Sequence, residues 1–297
     1  RYRLSPSLTA LASVNTDFAQ TEVDERQLNL TRFPLFFPEK RQFFLEDSGI
    51  FGFGGTESIS RRSRDSSSTL LIPFFSRRIG LSSDGEVDPI QFAGKLTGRV
   101  KSYNIGFLDA VVESKEGIRN IFVGRVSKNI YEQSSIGFLS TVGDPNSDEM
   151  NALAGADFQF RSSDMFGGKN FRVNAYALAS YSEESENIEP AWNISSSLED
   201  RNIDLSASIT EIGEEFDPAM GFVRRRGNRR YTAELDFIPY HDNLKSFGAC
   251  FGVSGGYERP MWFALDGEKA EYEYSYNYQS WYPSAEYETN NTIKNVG

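Results

Sequence analysis

The 297-residue chain sets 42 acidic side chains against 31 basic ones, for a formal net charge of −11 and a pI near 4.8. That balance excludes the basic face a nucleic-acid partner requires, so no nucleic acid is expected among its partners. A single cysteine, Cys250, excludes an intrachain disulfide, and a single histidine, His241, removes most nucleophile–base and histidine–metal designs.

The elements follow one another in a two-residue rhythm. In the first strand, Leu8, Ala10, Ala12 and Val14 alternate with Thr9, Leu11 and Ser13. Residues 17 to 91 then break the pattern. This stretch contains Asn29–Glu46, NLTRFPLFFPEKRQFFLE, with five phenylalanines, two prolines and five charges. Pro34 and Pro38 forbid a continuous helix, and the charges forbid a transmembrane one. The loop Gly52–Gly55 and the Ser/Arg tract SISRRSRDSSS complete an irregular segment, expected to plug or cap a larger sheet.

Alternation resumes at residues 92–100 and continues through Ile105–Glu113, Ile121–Lys128, Ser135–Val142, Ala152–Phe160 and Phe171–Tyr181. Further strands are predicted over Trp192–Leu198, Ile203–Ile209, Tyr231–Phe237, Phe247–Tyr257 and Tyr272–Tyr278. No 3.6-residue period stands out. Many strands reach about 9–11 residues, the length that crosses a bilayer at a tilt, whereas soluble strands average about 5–6. One face is apolar, and the other is small and polar with scattered charge. The expected fold is all-β: an antiparallel transmembrane β-barrel formed in part by this chain, with residues 17–91 as a Phe-rich lid or plug inside a single, incomplete domain covering 1–297. A soluble antiparallel sheet with one wet face gives the same alternation.

Two constellations stand out. Phe36, Phe37, Phe43 and Phe44 surround Glu39, Lys40, Arg41 and Glu46; aromatic anchors with charges able to pair with Arg77 and Arg78 form a candidate gate or partner-docking element, and equally a purely structural lid. Arg224, Arg225 and Arg226, with Arg229 and Arg230 close behind, follow the turn-like DPAMG. They are candidate contacts for lipopolysaccharide headgroups or a pore wall that selects anions, or else a solvated loop. Asp17, Glu22, Asp24 and Glu25 lack calcium-loop spacing, and Glu271 with Glu273 are only two positions apart on a strand. No catalytic, cofactor-binding or metal residue is assigned, and no cofactor is expected.

Four blocks occur in order: Val14–Gly54, Pro73–Leu81 (PFFSRRIGL), Ala93–Val100 (AGKLTGRV) and Ile212–Arg230 (IGEEFDPAMGFVRRRGNRR). Together they resemble a bacterial outer-membrane β-barrel domain of uncharacterised function that usually follows a family-9-type carbohydrate-binding module. The resemblance implies a bacterial outer-membrane location, membrane lipid as partner, and a glycan or other surface proteins as further partners. It transfers no catalytic residue, and the carbohydrate module itself is absent from this chain. The expected function is binding, transport or scaffolding at the outer membrane without catalysis in this segment. The alternative is a soluble β-rich glycan-binding or glycoside-hydrolase-associated protein.

Overall fold

The computed structural model describes residues 1–16, 36–55, 71–82, 87–114, 117–200, 203–237, 244–254, 257–267, 269–271 and 281–296. Within these limits the alternating segments build one 11-stranded antiparallel sheet. Its strands are β1 (Tyr2–Ser5), β2 (Leu8–Thr16), β4 (Ile90–Val100), β5 (Tyr103–Ser114), β6 (Gly117–Ile130), β7 (Ser134–Val142), β8 (Asn151–Ser162), β9 (Asn170–Ser182), β10 (Ile188–Glu199), β11 (Ile203–Ile212) and β13 (Asn228–Phe237). Each pairs with its sequence neighbour, so the sheet is a meander whose described edges are β1 and β13. The pairing is continuous: Leu96 faces Phe107, Phe107 faces Gly124, Val126 faces Phe138, and Phe138 faces Ala156.

The two ends of the meander differ. One carries short connections, such as Lys101–Ser102 and Tyr131–Gln133, where Lys101 and Tyr131 take positive φ to turn the chain. The other carries the 17–89 insertion and the loops 143–150, 183–187 and 213–227.

The two faces differ in kind: the covered face mixes core side chains such as Leu108, Val123 and Leu139 with polar ones, and the opposite face is largely apolar and exposed. The covered face bears Lys95, Thr97, Arg125, Ser127, Asp157, Ser180, Asn193 and Thr210, all buried. The opposite face bears Phe92, Val100, Phe107, Phe122, Ile136, Phe138, Ile194 and Leu205, all exposed, with Phe138 at 52 %. Charges do occur there: Asp109 and Lys128 stand on it, and Glu211 pairs with Arg229 at 2.8 Å.

What covers the polar face is the irregular segment. Its helical turn Gln42–Leu45, 3-10 turns Ser48–Phe51 and Ser76–Arg78, and strand β3 (Leu71–Ile72) lie against the sheet. Phe44, Phe51, Phe53, Leu71 and Ile79 join Leu108, Val123, Leu139, Leu153 and Tyr176 in one core, together with Phe216 and Met220 from the 213–227 loop. That loop also supplies β12 (Phe222–Val223), which pairs antiparallel with β3. Asn151 and Ser180 fasten the loop from below: Asn151 Nδ2 donates to the Asp217 carbonyl at 2.9 Å, and the Asp217 N–H donates to Ser180 Oγ at 3.0 Å.

The chain divides into two compact units, Arg1–Leu198 with Leu205–Glu234, and Glu199–Asp204 with Leu235–Gly297. In the second, β14 (Ala249–Ser254) pairs with β15 (Tyr257–Phe263) around a bulge at Cys250/Phe251, and Cys250 is buried. The single strand expected over Phe247–Tyr257 is therefore corrected: β14 ends at Ser254 and Tyr257 starts its antiparallel partner. The all-β expectation is also corrected by the helix Tyr282–Val296. Pro283 suits its first turn, where a missing N–H costs nothing, but Asn, Thr and Glu fill so much of the helix that no apolar period shows.

The strand expected at Tyr272–Tyr278, His241, the Ser/Arg tract and the acidic group Asp17–Glu25 lie outside the described residues.

Candidate functional site

Polar side chains on a buried face need partners, and here the inserted segment supplies them. Lys95 on β4 donates to the carbonyls of Phe43 and Glu46, and its ammonium lies 5.1 Å from the Phe43 ring centroid. These carbonyls belong to the end of the Gln42–Leu45 turn, where helical oxygens lack helical donors and a cation is favoured. Two residues on, on the same face, Thr97 Oγ1 donates to Asp47 Oδ2 at 2.8 Å.

A second anchor sits deeper. Arg125 on β6 and Asp157 on β8 form a two-pronged ion pair, with Nη1–Oδ1 at 2.5 Å and Nη2–Oδ2 at 3.1 Å. Only 3 % and 1 % of their side chains are exposed. Strand β7 runs between them, and the pair spans it because Gly137 has no side chain: a Cβ there would stand 2.4 Å from Arg125 Nη1. Asp157 Oδ2 also accepts the Gly54 N–H at 3.0 Å. Phe53 is thereby held between the Arg125 guanidinium, 5.1 Å away, and the Tyr176 ring, 5.8 Å away. Gly54 is required here on two counts, a φ of +61° and Tyr176 Cδ1 2.6 Å from where a Cβ would be.

The Phe-rich constellation lies where the insert folds on itself. Glu39 pairs with Arg41 at 2.7 Å and accepts the Ser76 hydroxyl at 2.8 Å. Burial opposes its charge, yet the Arg41 guanidinium outweighs that and holds the Glu39 carboxyl below its ordinary range. Arg41 is buried, donates to the Ile79 and Ser76 carbonyls, and covers the Phe44 ring at 4.3 Å. The Lys40 N–H donates to Glu39. Glu46 pairs with Arg1 at 2.6 Å. Arg77 donates to the Pro38 carbonyl and lies 5.6 Å from the Phe37 ring, while Arg78 donates to the Gly221 carbonyl. Phe36 stacks on Phe75 at 5.2 Å and meets Phe222 edge-on at 5.4 Å. Phe43 and Phe44 are in T-shaped contact at 5.1 Å.

The arginine cluster is not brought to this centre. Arg225 and Arg226 are exposed on the 213–227 loop, Arg224 is half-buried, and Arg226 pairs with Asp217.

Between the insert and the sheet lies a cavity of about 380 Å³, walled on one side by Gly49, Ile50, Gly52, Phe53 and Gly55. Its other wall is the polar face: Asn104 on β5, Arg125, Ser127 and Asn129 on β6, Ser135 on β7 and Gln159 on β8. Asn104 Nδ2 donates to Ser127 Oγ and Asn129 Oδ1, each at 3.2 Å. A second cavity of about 300 Å³ is mainly aromatic and lies under Phe36, Phe44, Phe51, Phe74 and Phe75.

Sequence reasoning did not single out Lys95, Arg125, Asp157 or the amide wall. Their signal was present as polar residues at the non-apolar positions of strands, but only the register shows which ones meet. Among the described residues no cluster of metal-ligating side chains is formed.

A family model described as Domain of unknown function (DUF5916) matches residues 1–135, which take in the inserted segment and β1 through β6. No curated protein and no solved structure matches the chain.

Proposed function

We propose that the chain forms the wall and internal plug of an outer-membrane β-barrel that binds or admits a solute. The observation that carries this reading is the apolar face that the sheet leaves uncovered. Phe92, Val100, Tyr103, Phe107, Phe122, Ile136, Phe138 and Val142 share the uncovered face and are between 37 % and 52 % exposed. Taking ~200 Å² for such a side chain, they leave on the order of 600 Å² of apolar surface in water. This matches or exceeds the largest patch on an ordinary soluble monomer, about 300–600 Å². Transfer into hydrocarbon at ~25 cal/mol per Å² is worth on the order of 15 kcal/mol, as much as an entire fold is typically stable by.

Strand lengths of 9 to 14 residues over β4–β9 suit a tilted crossing. Tyr103 and Lys128, at the short-turn end and 5.5 Å apart, suit an interfacial belt. Short turns at one end and long loops at the other fit the periplasmic and outer ends of such barrels. Lipid does not tolerate an open sheet edge, so the reading requires β1 and β13 to be closed, against each other or by further strands.

The test is extraction and gel mobility. A protein extracted only with detergent, whose band shifts on boiling, supports the reading. A monodisperse protein in plain buffer overturns it in favour of a soluble β-rich binder.

A further inference from the structure

We infer that the cavity between the Gly49–Gly55 loop and the inner face of β5–β8 is a binding site for a neutral, polyhydroxylated solute of sugar size. This rests on reading the inner face as solute-facing, but not on the membrane setting.

The argument begins with Arg125. Its two terminal nitrogens are engaged by Asp157, while its buried Nε–H, on a side chain only 3 % exposed, has no partner. That Nε–H is fully buried, so a ligand in the cavity meets the wall through Asn104, Ser127, Asn129, Ser135 and Gln159.

The charge of the ligand follows from the surroundings. Asp157 already neutralises the guanidinium, and Asn104, Ser127, Asn129, Ser135 and Gln159 carry no charge. An anion entering this space would lose its hydration without meeting net positive charge. A hydroxyl suits the wall better: it donates and accepts at once, as do the amide and hydroxyl groups it would meet. Asn104 is already fixed by its bonds to Ser127 and Asn129, so part of the wall is ordered before any ligand arrives.

Shape agrees with chemistry. Ile50 and Phe53 offer an apolar side for C–H groups, and Gly49, Gly52 and Gly55 let the backbone approach closely. The volume of about 380 Å³ lies within the ~300–1,000 Å³ typical of small-molecule sites.

The experiment is titration of the purified full chain, in detergent and in plain buffer, with glucose, myo-inositol, maltose and sucrose, using glucuronate and inorganic phosphate as charged probes. At least one neutral polyol is expected to bind saturably. Asn129→Leu and Gln159→Leu, each checked for an unchanged β-type circular dichroism spectrum, are each expected to weaken that binding at least about ten-fold, or ~1.4 kcal/mol. Absence of binding by every neutral probe, binding that survives both substitutions, or preference for glucuronate or phosphate would overturn the inference. A heat-modifiable, detergent-dependent protein that ignores all four polyols sinks this inference alone; a soluble protein that binds them sinks only the membrane reading.

Discussion

Replacing Asp157 with alanine is the sharpest perturbation of this structure. The substitution leaves the Arg125 guanidinium buried, 3 % exposed, with both of its former ion-pair contacts gone. Removing one partner of a buried pair costs about 3–5 kcal/mol, because the remaining charge is desolvated without compensation. The Gly54 N–H loses its acceptor in the same step, adding to the strain at the tip of the insert. These losses share one network and do not simply add, so about 4 kcal/mol is expected. Replacing both partners by apolar residues of similar size, Arg125→Met with Asp157→Leu, removes the stranded charge and should recover most of the loss, to within ~1–2 kcal/mol of the parent. Denaturant unfolding of the refolded protein, followed by tryptophan fluorescence, measures both. An Asp157→Ala protein within ~1 kcal/mol of the parent would refute the pair as a buried anchor. A double variant no better than the single one would refute the stranded charge as the cause.

Two further perturbations probe how the insert sits. A Cβ at Gly106 on β5 would stand 2.8 Å from Ile50 Cγ2 and 3.1 Å from the Phe51 ring, so Gly106→Leu should cost about 1–3 kcal/mol by overpacking. It should also speed chymotryptic cleavage at Phe51 and Phe53, and unchanged stability together with unchanged cleavage would refute the contact. The Glu39–Arg41 pair makes a pH prediction. The folded carboxyl lies below its ordinary value of 4.5, so its contribution is complete above that value and disappears as pH falls through the depressed folded pKa. Asp144 runs the other way: burial, reinforced by the Asp217 carboxylate, raises its pKa above 3.8, so its contribution is present in acid and is lost as pH rises through the folded value. Unfolding midpoints from pH 3 to 7 should therefore fall less steeply on acidification for Glu39→Gln than for the parent, and rise at neutral pH for Asp144→Asn. Profiles that superimpose on the parent would remove both assignments.

The sheet was legible because its physics is local. Alternation over Phe171–Tyr181 marks β9 to within a residue at each end, and the turn at Lys101–Asn104 marks the β4–β5 hairpin closely. Elements without periodicity were not legible. β1 has only 4 residues, and the break between β14 and β15 falls inside a run whose apolar alternation continues across it. The irregular character of residues 17–91 was evident from Pro34, Pro38 and the charge cluster, but its seating was not. Arg125 and Asp157 are 32 positions apart and on strands that do not pair with each other. Their meeting depends on Gly137 leaving the intervening strand bare, a fact carried by register and not by composition.

The insert also explains how polar chemistry survives beneath the covered face. In an ordinary soluble sheet the apolar face makes the core, and a buried Lys95, Arg125 or Asp157 would compete with the packing that holds the fold together. Here the covered face does both: Leu108, Val123, Leu139 and Leu153 pack against the insert's phenylalanines, and the polar groups stand among them. The insert supplies partners for several of them: carbonyls for Lys95, Asp47 for Thr97 and the Gly54 N–H for Asp157. The insert and the polar face therefore specify each other: removing the insert would strand buried polar groups, and turning the face apolar would leave the insert's carbonyls and N–H groups unpaired. The cavity beside Arg125 lies between the insert and the wall, lined on the sheet side by neutral donors and acceptors and the Asp157-paired Arg125. In an interior otherwise filled by the insert, that space is where an additional molecule meets ordered neutral donors and acceptors.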